Sequence, residues 1–334
     1  MISLSIGDPT HYKNMLPPIE AEEAVTEAVQ KPTSHGYVPS FGLEAARQAV
    51  AELWTKPNCQ LKFDDIILTS GCSHALEMCI NCLANPGDNI LLPRPGFSLY
   101  VTLCKSLNIE TRFYDLIPDK CWEVDLDHLQ SMINEKTKAI LINNPSNPCG
   151  AVYGKEHLCS IIDLCEKNCL PIIADEIYAD MFELALLFVF LDAIKPGLLD
   201  LSSRILGPNS IIQAALPYIL TQTPQSYFDE IITQIQMNAQ FCYETLSSVP
   251  GLKPIMPSGA MYMLIGIDVT AFRDIESDTD LFKKLIDEES LSCLPASVFG
   301  ISNYIRLVLT APFEKTQEAC MRIVEFCERH TNTI

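Results

Sequence analysis

The chain has 334 residues, 48% of them apolar and only 14 of them glycine, enough to bury the core of one large domain or two unequal ones. Its 42 acidic against 23 basic residues give a formal charge of -19, which repels nucleic-acid phosphates and anionic lipid head groups, so neither is an expected partner. The 14 cysteines are scattered through apolar, helix-like stretches (Cys79, Cys82, Cys159, Cys165 and Cys169), the pattern of free thiols in a reducing, cytoplasmic compartment rather than of a disulfide scaffold.

The chain opens Met-Ile-Ser-Leu-Ser, with neither a basic stretch nor an apolar one ahead of a cleavage site, and no secretory route is expected. From about residue 64, short apolar or β-branched runs at 65–68 and 89–92 alternate with longer amphipathic ones at 73–84 and 96–107. That alternation predicts α/β units around a largely parallel sheet. Cys79 and Cys82 fall inside one of the helical runs, with no second pair and no histidine at ligand spacing, so they read as core and no metal is expected. The alternation continues through 139–142, 155–169 and 171–174. The run 184–191 is the most apolar, yet it is well short of the roughly twenty residues of a bilayer span and reads as a buried strand or helix segment. Beyond residue 205 the pattern lengthens into helices over 211–220 and 225–249. A strand pair at 260–267 and 304–309 and a closing helix at 314–330 predict a second, smaller α+β layer.

Four stretches carry chemistry. In 64–83 an apolar strand enters Thr69, Ser70, Gly71, Cys72 and Ser73 and leaves as a helix. Small residues there let backbone N–H groups and hydroxyls converge on an anion at a helix N-terminus, which makes a phosphate cup. A serine N-cap with a tight glycine turn accounts for the same residues. Nucleotide fingerprints of the G-x-G-x-x-G and G-x-x-x-x-G-K-[ST] types are absent, so the phosphate need not belong to a nucleotide. In 142–150 two Asn-Pro steps exclude helix and aim Asn147 over the strand ends, although Asn, Pro and Gly are also ordinary loop residues.

The strand at 171–174 leads into Asp175, Glu176, Ile177 and Tyr178. Ligands of open α/β sheets bind at the carboxyl ends of strands, where the Asp175 carboxylate can keep a ring nitrogen protonated and Tyr178 can donate to a ring oxygen. A helix N-cap is the other reading of Asp175. Finally, Arg306 interrupts an apolar strand, where its guanidinium matches either a substrate carboxylate or an acid of the protein itself.

In order and spacing, these residues resemble the class I pyridoxal-phosphate aminotransferases, most closely the members that use tyrosine. The resemblance runs through residues 5–10, 35–40, 70–73, 94–100, 143–150, 174–178, 203–208 and 257–262, nearly the whole chain. It implies an α/β protein of the type I pyridoxal-phosphate fold, with a large domain of mostly parallel sheet over 36–220 and a small α+β domain from 1–35 and 221–334. It implies pyridoxal 5'-phosphate as cofactor and transfer of an amino group from an aromatic amino acid to a 2-oxo acid. Ser70, Gly71 and Cys72 would hold the cofactor phosphate, with Ser73 at the edge of the turn. Phe97 would stack on the ring, Asn147 and Tyr178 would meet its phenolic oxygen, and Asp175 its nitrogen. Arg306 would clamp the substrate carboxylate, with Gly7 and Asn147 beside it. Tyr37 would reach the phosphate of a neighbouring subunit, which makes a homodimer the expected assembly.

The resemblance breaks at one place. It stops after Met181 and resumes near Ser203, so the family's Ser-x-x-Lys segment, with its Schiff-base lysine and the phosphate-binding arginine that follows, has no counterpart. Lys195, ahead of Pro196 and Gly197, is the sole lysine in the interval and the sole local substitute. Because the resemblance begins almost at the first residue, the family's N-terminal arm is not expected either. The expectation is therefore an incomplete large domain with exposed strand edges and impaired or absent turnover. Alternatives are a shortened, non-catalytic form that keeps cofactor-binding or dimerisation surfaces, and a pyridoxal-phosphate-dependent carbon–sulfur lyase or decarboxylase on the same fold. A dehydrogenase is remote because no dinucleotide turn exists.

Overall fold

The structure is a computed structural model and describes residues 1–179, 186–188 and 192–332. At its start β1 (Ile2–Ser3) pairs in parallel with residues 291–292, so the first residues are held by a much later part of the chain. Two helices follow, α1 (Ile19–Gln30) and α2 (Glu44–Trp54). Each buries a stripe at helical spacing, Ala24 and Ala28 on the first and Ala46 and Val50 on the second. A short, wholly buried β2 (Ile66–Leu68) then leads into α3 (Cys72–Leu83).

The alternating part folds as its pattern predicts. β3 (Asn89–Arg94), α4 (Ser98–Ser106), β4 (Glu110–Ile117), β5 (Glu123–Val124), α5 (Leu126–Met132), β6 (Thr137–Asn143), α6 (Lys155–Lys167) and β7 (Ile172–Asp175) follow in turn. The five strands form one sheet in the order β5-β4-β3-β6-β7, parallel except for the pairing of β5 with β4. Strands covered on both faces read as continuous apolar runs, and β3 and β6 are buried along almost their whole length. Tyr100 and Cys104 on one side and Tyr114 and Leu129 on the other join them in two hydrophobic clusters.

β8 (Leu186–Phe188) is the described piece of the apolar run expected at 184–191, and the rest of that run lies outside the described residues. It lies antiparallel to β2, with Ile66 opposite Phe188, and these two make a sheet of their own. Helix α3 contacts both β7 and β8. Among the described residues β7 and β8 do not pair with each other.

Next come α7 (Lys195–Ser202), α8 (Ser210–Gln222) and α9 (Gln225–Ser247). α8 packs against both α1 and α2. The remaining elements are β9 (Leu252–Pro254), β10 (Tyr262–Ile267), α10 (Asp278–Glu289), β11 (Leu291–Ser292), β12 (Leu294–Pro295), β13 (Tyr304–Val308) and α11 (Phe313–His330). Four of these strands make an antiparallel sheet in the order β12-β13-β10-β9, the expected α+β layer. Its core gathers Met263, Ile265, Leu307 and Ile323 with residues of α9, α10 and β1. The sequence pattern does not single out α1, α2, α5 or α10. All 14 thiols are free, and among the described residues no helix is long and apolar enough to cross a membrane.

Candidate active site

The carboxyl ends of β6 and β7 meet the N-terminus of α3, and a cavity of about 310 Å³ opens there. Gly71, Cys72 and Ser73 form one wall. Gly71 has φ +82°, a conformation that glycine adopts without strain, and nothing lies within 4 Å of where a Cβ would stand. It ends the loop and starts the helix, whose first N–H groups have no partner within the helix and carry the positive end of its dipole.

Asp175, the last residue of β7, is buried and lines the same cavity beside Cys72. Its Oδ2 accepts a 2.6 Å hydrogen bond from the Tyr100 hydroxyl, and its Oδ1 accepts from Cys72 Sγ at 3.6 Å and from the Ile177 N–H at 3.3 Å. Burial, and then the Asp175 charge, push the Tyr100 phenol and the Cys72 thiol well above their ordinary values, so both stay protonated donors. The residues around Asp175 therefore hold a carboxylate in an apolar place. The Phe97 ring meets Tyr100 edge to face at 5.8 Å and also lines the cavity.

The loop after β6 supplies another wall. Asn143 Nδ2 donates to the Asp175 carbonyl at 3.0 Å, and Asn143 Oδ1 accepts from the Asn147 N–H at 2.7 Å, which fixes the loop to β7. The Asn144–Pro145 and Asn147–Pro148 bonds are cis. Asn147 Oδ1 accepts a 2.7 Å bond from Arg306, whose other terminal nitrogen donates to the Ser5 carbonyl at 2.8 Å. Arg306 is 4% exposed, and its Nε is buried with no protein partner. Its guanidinium lies over the rings of Tyr262, at 4.3 Å, and Phe299, at 5.0 Å. Tyr178 lines the cavity, with its hydroxyl 2.8 Å from that of Tyr262, and burial raises its phenol well above the ordinary value.

Seven of the residues singled out in the sequence thus line one cavity with Gly7: Gly71, Cys72, Ser73, Phe97, Asn147, Asp175 and Tyr178. Arg306 stands behind Asn147 rather than on the cavity wall. Ser70 is exposed, off the wall, and its N–H donates to His74 Nδ1 at 3.3 Å. Tyr37 is 94% exposed and also away from the cavity. Lys195 begins α7, with Nζ 3.6 Å from Asp65. Every lysine of the chain lies among the described residues, and none lines the cavity.

Sequence reasoning assigned no role to Tyr100, Asn143 or Tyr262. Tyr100 follows Phe97 by three residues, one helical turn, and Asn143 is a polar residue at the buried carboxyl end of a strand. Those were the available signals.

The family model for class I and II aminotransferases matches this chain over residues 1–193 and 184–323. Tyrosine aminotransferase of Mus musculus is 43% identical over 369 aligned positions, covering 99% of this chain and 81% of the relative. That of Dictyostelium discoideum is 40% identical, covering 98% of this chain and 89% of the relative. Among solved structures, tyrosine aminotransferase from Leishmania infantum superposes with a TM-score of 0.94 at 33% identity, over 99% of this chain and 92% of that one. Alanine aminotransferase from Pyrococcus furiosus gives 0.92 at 26% identity, over 98% and 92%. The family match comes in two pieces that meet at 184–193. The 369 positions aligned with the mouse protein against 334 residues here leave at least 35 for which this chain has no counterpart.

Proposed function

Since the chain belongs to the class I and II aminotransferases, whose members depend on pyridoxal phosphate, we propose that its cavity is a pyridoxal-phosphate site of the tyrosine aminotransferase kind. The associated reaction moves the amino group of an aromatic amino acid, tyrosine first, to a 2-oxo acid. The chain's own turnover is impaired or absent. The observation that carries this reading is the buried Asp175 carboxylate, bonded by Tyr100 and Cys72 and facing one cavity together with the N-terminus of α3.

Most of the cavity fits the cofactor. Gly71, Cys72 and Ser73, with Ser70 next to them, suit the phosphate, because a helix N-terminus offers N–H groups and a favourable dipole. Phe97 suits the ring face, Asn147 and Tyr178 the phenolic oxygen, and Asp175 the ring nitrogen. When bound, the group supplies an electron sink beside the substrate's amino-bearing carbon, and a carboxylate such as Asp175 keeps that sink charged. Arg306 is the candidate clamp for the substrate carboxylate: its Nε lacks a partner, and Asn147 and Gly7 stand on the cavity side. One part does not fit. A covalent tether and a basic amine for proton transfer both need a lysine, and no lysine lines the cavity. The two-piece family match and the unmatched positions of the relatives support loss of a block of sequence after Met181 rather than replacement of a single residue.

The remaining parts of the reading are a homodimer, in which exposed Tyr37 serves the partner's phosphate, and residence in the cytoplasm, for which the free thiols speak. The test is an assay of the purified full chain with tyrosine, a 2-oxo acid and pyridoxal phosphate. The expected rate is that of the cofactor alone in solution. Turnover at a rate typical of enzymes, together with a cofactor-labelled Lys195 peptide after borohydride reduction, overturns the impaired reading.

A further inference from the structure

Two donors on the cavity wall, Asn147 and Tyr178, are held from behind by side chains that do not line the cavity. A guanidinium only donates, so the Asn147 carbonyl oxygen turns to Arg306 at 2.7 Å and the amide nitrogen is left for the cavity. Tyr178 has no such fixed choice. Its hydroxyl lies 2.8 Å from that of Tyr262, and each carries a single proton, so one donates and the other accepts. Arg306 settles the direction. Its guanidinium covers the Tyr262 ring at 4.3 Å, and a positive charge on the ring face draws electron density from the phenol and makes its O–H the stronger donor. Tyr262 then donates to Tyr178, and the Tyr178 proton, which cannot lie along the same bond, is free to point into the cavity. The joint is closely packed: Tyr262 is buried, its ring meets that of Tyr178 edge to face at 5.5 Å, and a Cβ on Gly7 would collide with its hydroxyl.

We propose that Tyr262 is a positioning residue, which turns the Tyr178 hydroxyl toward the cavity as a donor to an anionic oxygen of the ligand. The proposal rests on the reading of the cavity as the family's cofactor site, where that oxygen is the phenolic one. Tyr262 does not line the cavity and acts through Tyr178. Burial raises the Tyr178 phenol well above its ordinary value, so it remains a donor. With Asn147 oriented by Arg306, and Tyr178 by the Tyr262 ring under the same guanidinium, one side chain on β13 sets both donors.

The test is a pH titration of pyridoxine 5'-phosphate bound to the purified full chain, followed by the absorbance of its 3-hydroxypyridine ring. This probe has neither an aldehyde nor an amine, so it forms no imine with any lysine. In the wild-type complex its phenol is expected to ionise at a lower pH than in the free probe. Tyr178→Phe should raise that pH by about one to two units, the worth of one hydrogen bond to a charged oxygen. Tyr262→Phe keeps the ring under Arg306 and should raise it by roughly half a unit, and adding it to Tyr178→Phe should raise it no further. A Tyr262→Phe complex that ionises with the wild type overturns the proposal, as does a double variant in which the two shifts add. Both results leave the cofactor-site reading standing, because the probe is still bound. If the wild-type chain does not bind the probe, that reading falls and the proposal with it. Should Tyr262→Phe not fold, Gly7→Ala, whose methyl group displaces the Tyr262 hydroxyl, is expected to give the same rise, and no rise overturns the proposal.

Discussion

Asp175 is a carboxylate that the chain surrounds with donors taken from distant positions, Tyr100 at a separation of 75 residues and Cys72 at 103. A hydrogen bond to a buried charge is worth about 1.5–3 kcal/mol, so Tyr100→Phe should lower the free energy of unfolding by about that much, measured by urea denaturation. His330 makes a different kind of network. Its Nδ1 lies 2.7 Å from Asp274 and its Nε2 3.0 Å from Glu288, with Lys284 and Arg329 reaching the same carboxylates. The His330 contacts, assisted by these cations, hold both carboxyls below their ordinary values of 3.8 for Asp274 and 4.5 for Glu288. A carboxyl depressed in the folded state contributes its stability in full above the unfolded value and loses it as pH falls through the folded one. Unfolding should therefore ease progressively below about pH 4.5, and His330→Gln should flatten that dependence. Both carboxylates are partly exposed, so the slope is small, and equal slopes in the variant and the parent would remove His330 from the account.

Among the elements, α8 packs against both of the first two helices. Its start is capped by Asn209, whose side chain accepts from the N–H groups of Ile211 at 2.9 Å and Ile212 at 3.3 Å. Asn209→Ala should cost about 0.5–2 kcal/mol in thermal melts, the usual worth of such a cap. The same helix carries Pro217 in its interior, which removes one N–H from the helical ladder. Pro217→Ala should therefore raise the melting temperature, provided that the packing of Leu216 against α2 is kept. The core strands of the sheet were readable in the sequence because a strand buried on both faces is an unbroken apolar run, as in β3 and β6. α1 and α2 were not, because much of their buried face is alanine, which marks no stripe in a hydropathy pattern.

For the whole molecule, the decisive fact is that, among the described residues, β2 to β8 fall into two sheets. β7 ends one, β8 belongs to the other, and α3 touches both. The family match divides close to β8, in 184–193. Grafting the corresponding segment of a tyrosine aminotransferase relative between residues 181 and 203 should raise the melting temperature and restore tyrosine transamination. A general base in place is worth about 10²–10⁴-fold, so a gain below about 10²-fold would argue against the missing block as the cause of impairment.

The sequence by itself determined the family, the alternation of strands and helices, the glycine turn at 70–73, the strand-end Asp175 and the lack of a lysine between Met181 and Ser203 apart from Lys195. Each of these is written in local order, as a period, a turn or a motif. Tertiary structure decided which of them share a cavity. It placed Tyr100 on Asp175, Tyr262 on Tyr178 across 84 residues and Arg306 behind Asn147, and it put Lys195 beside Asp65 instead of in the site. Such partnerships depend on how distant segments pack, and no local pattern in the chain encodes the distance between two side chains that only the fold brings together.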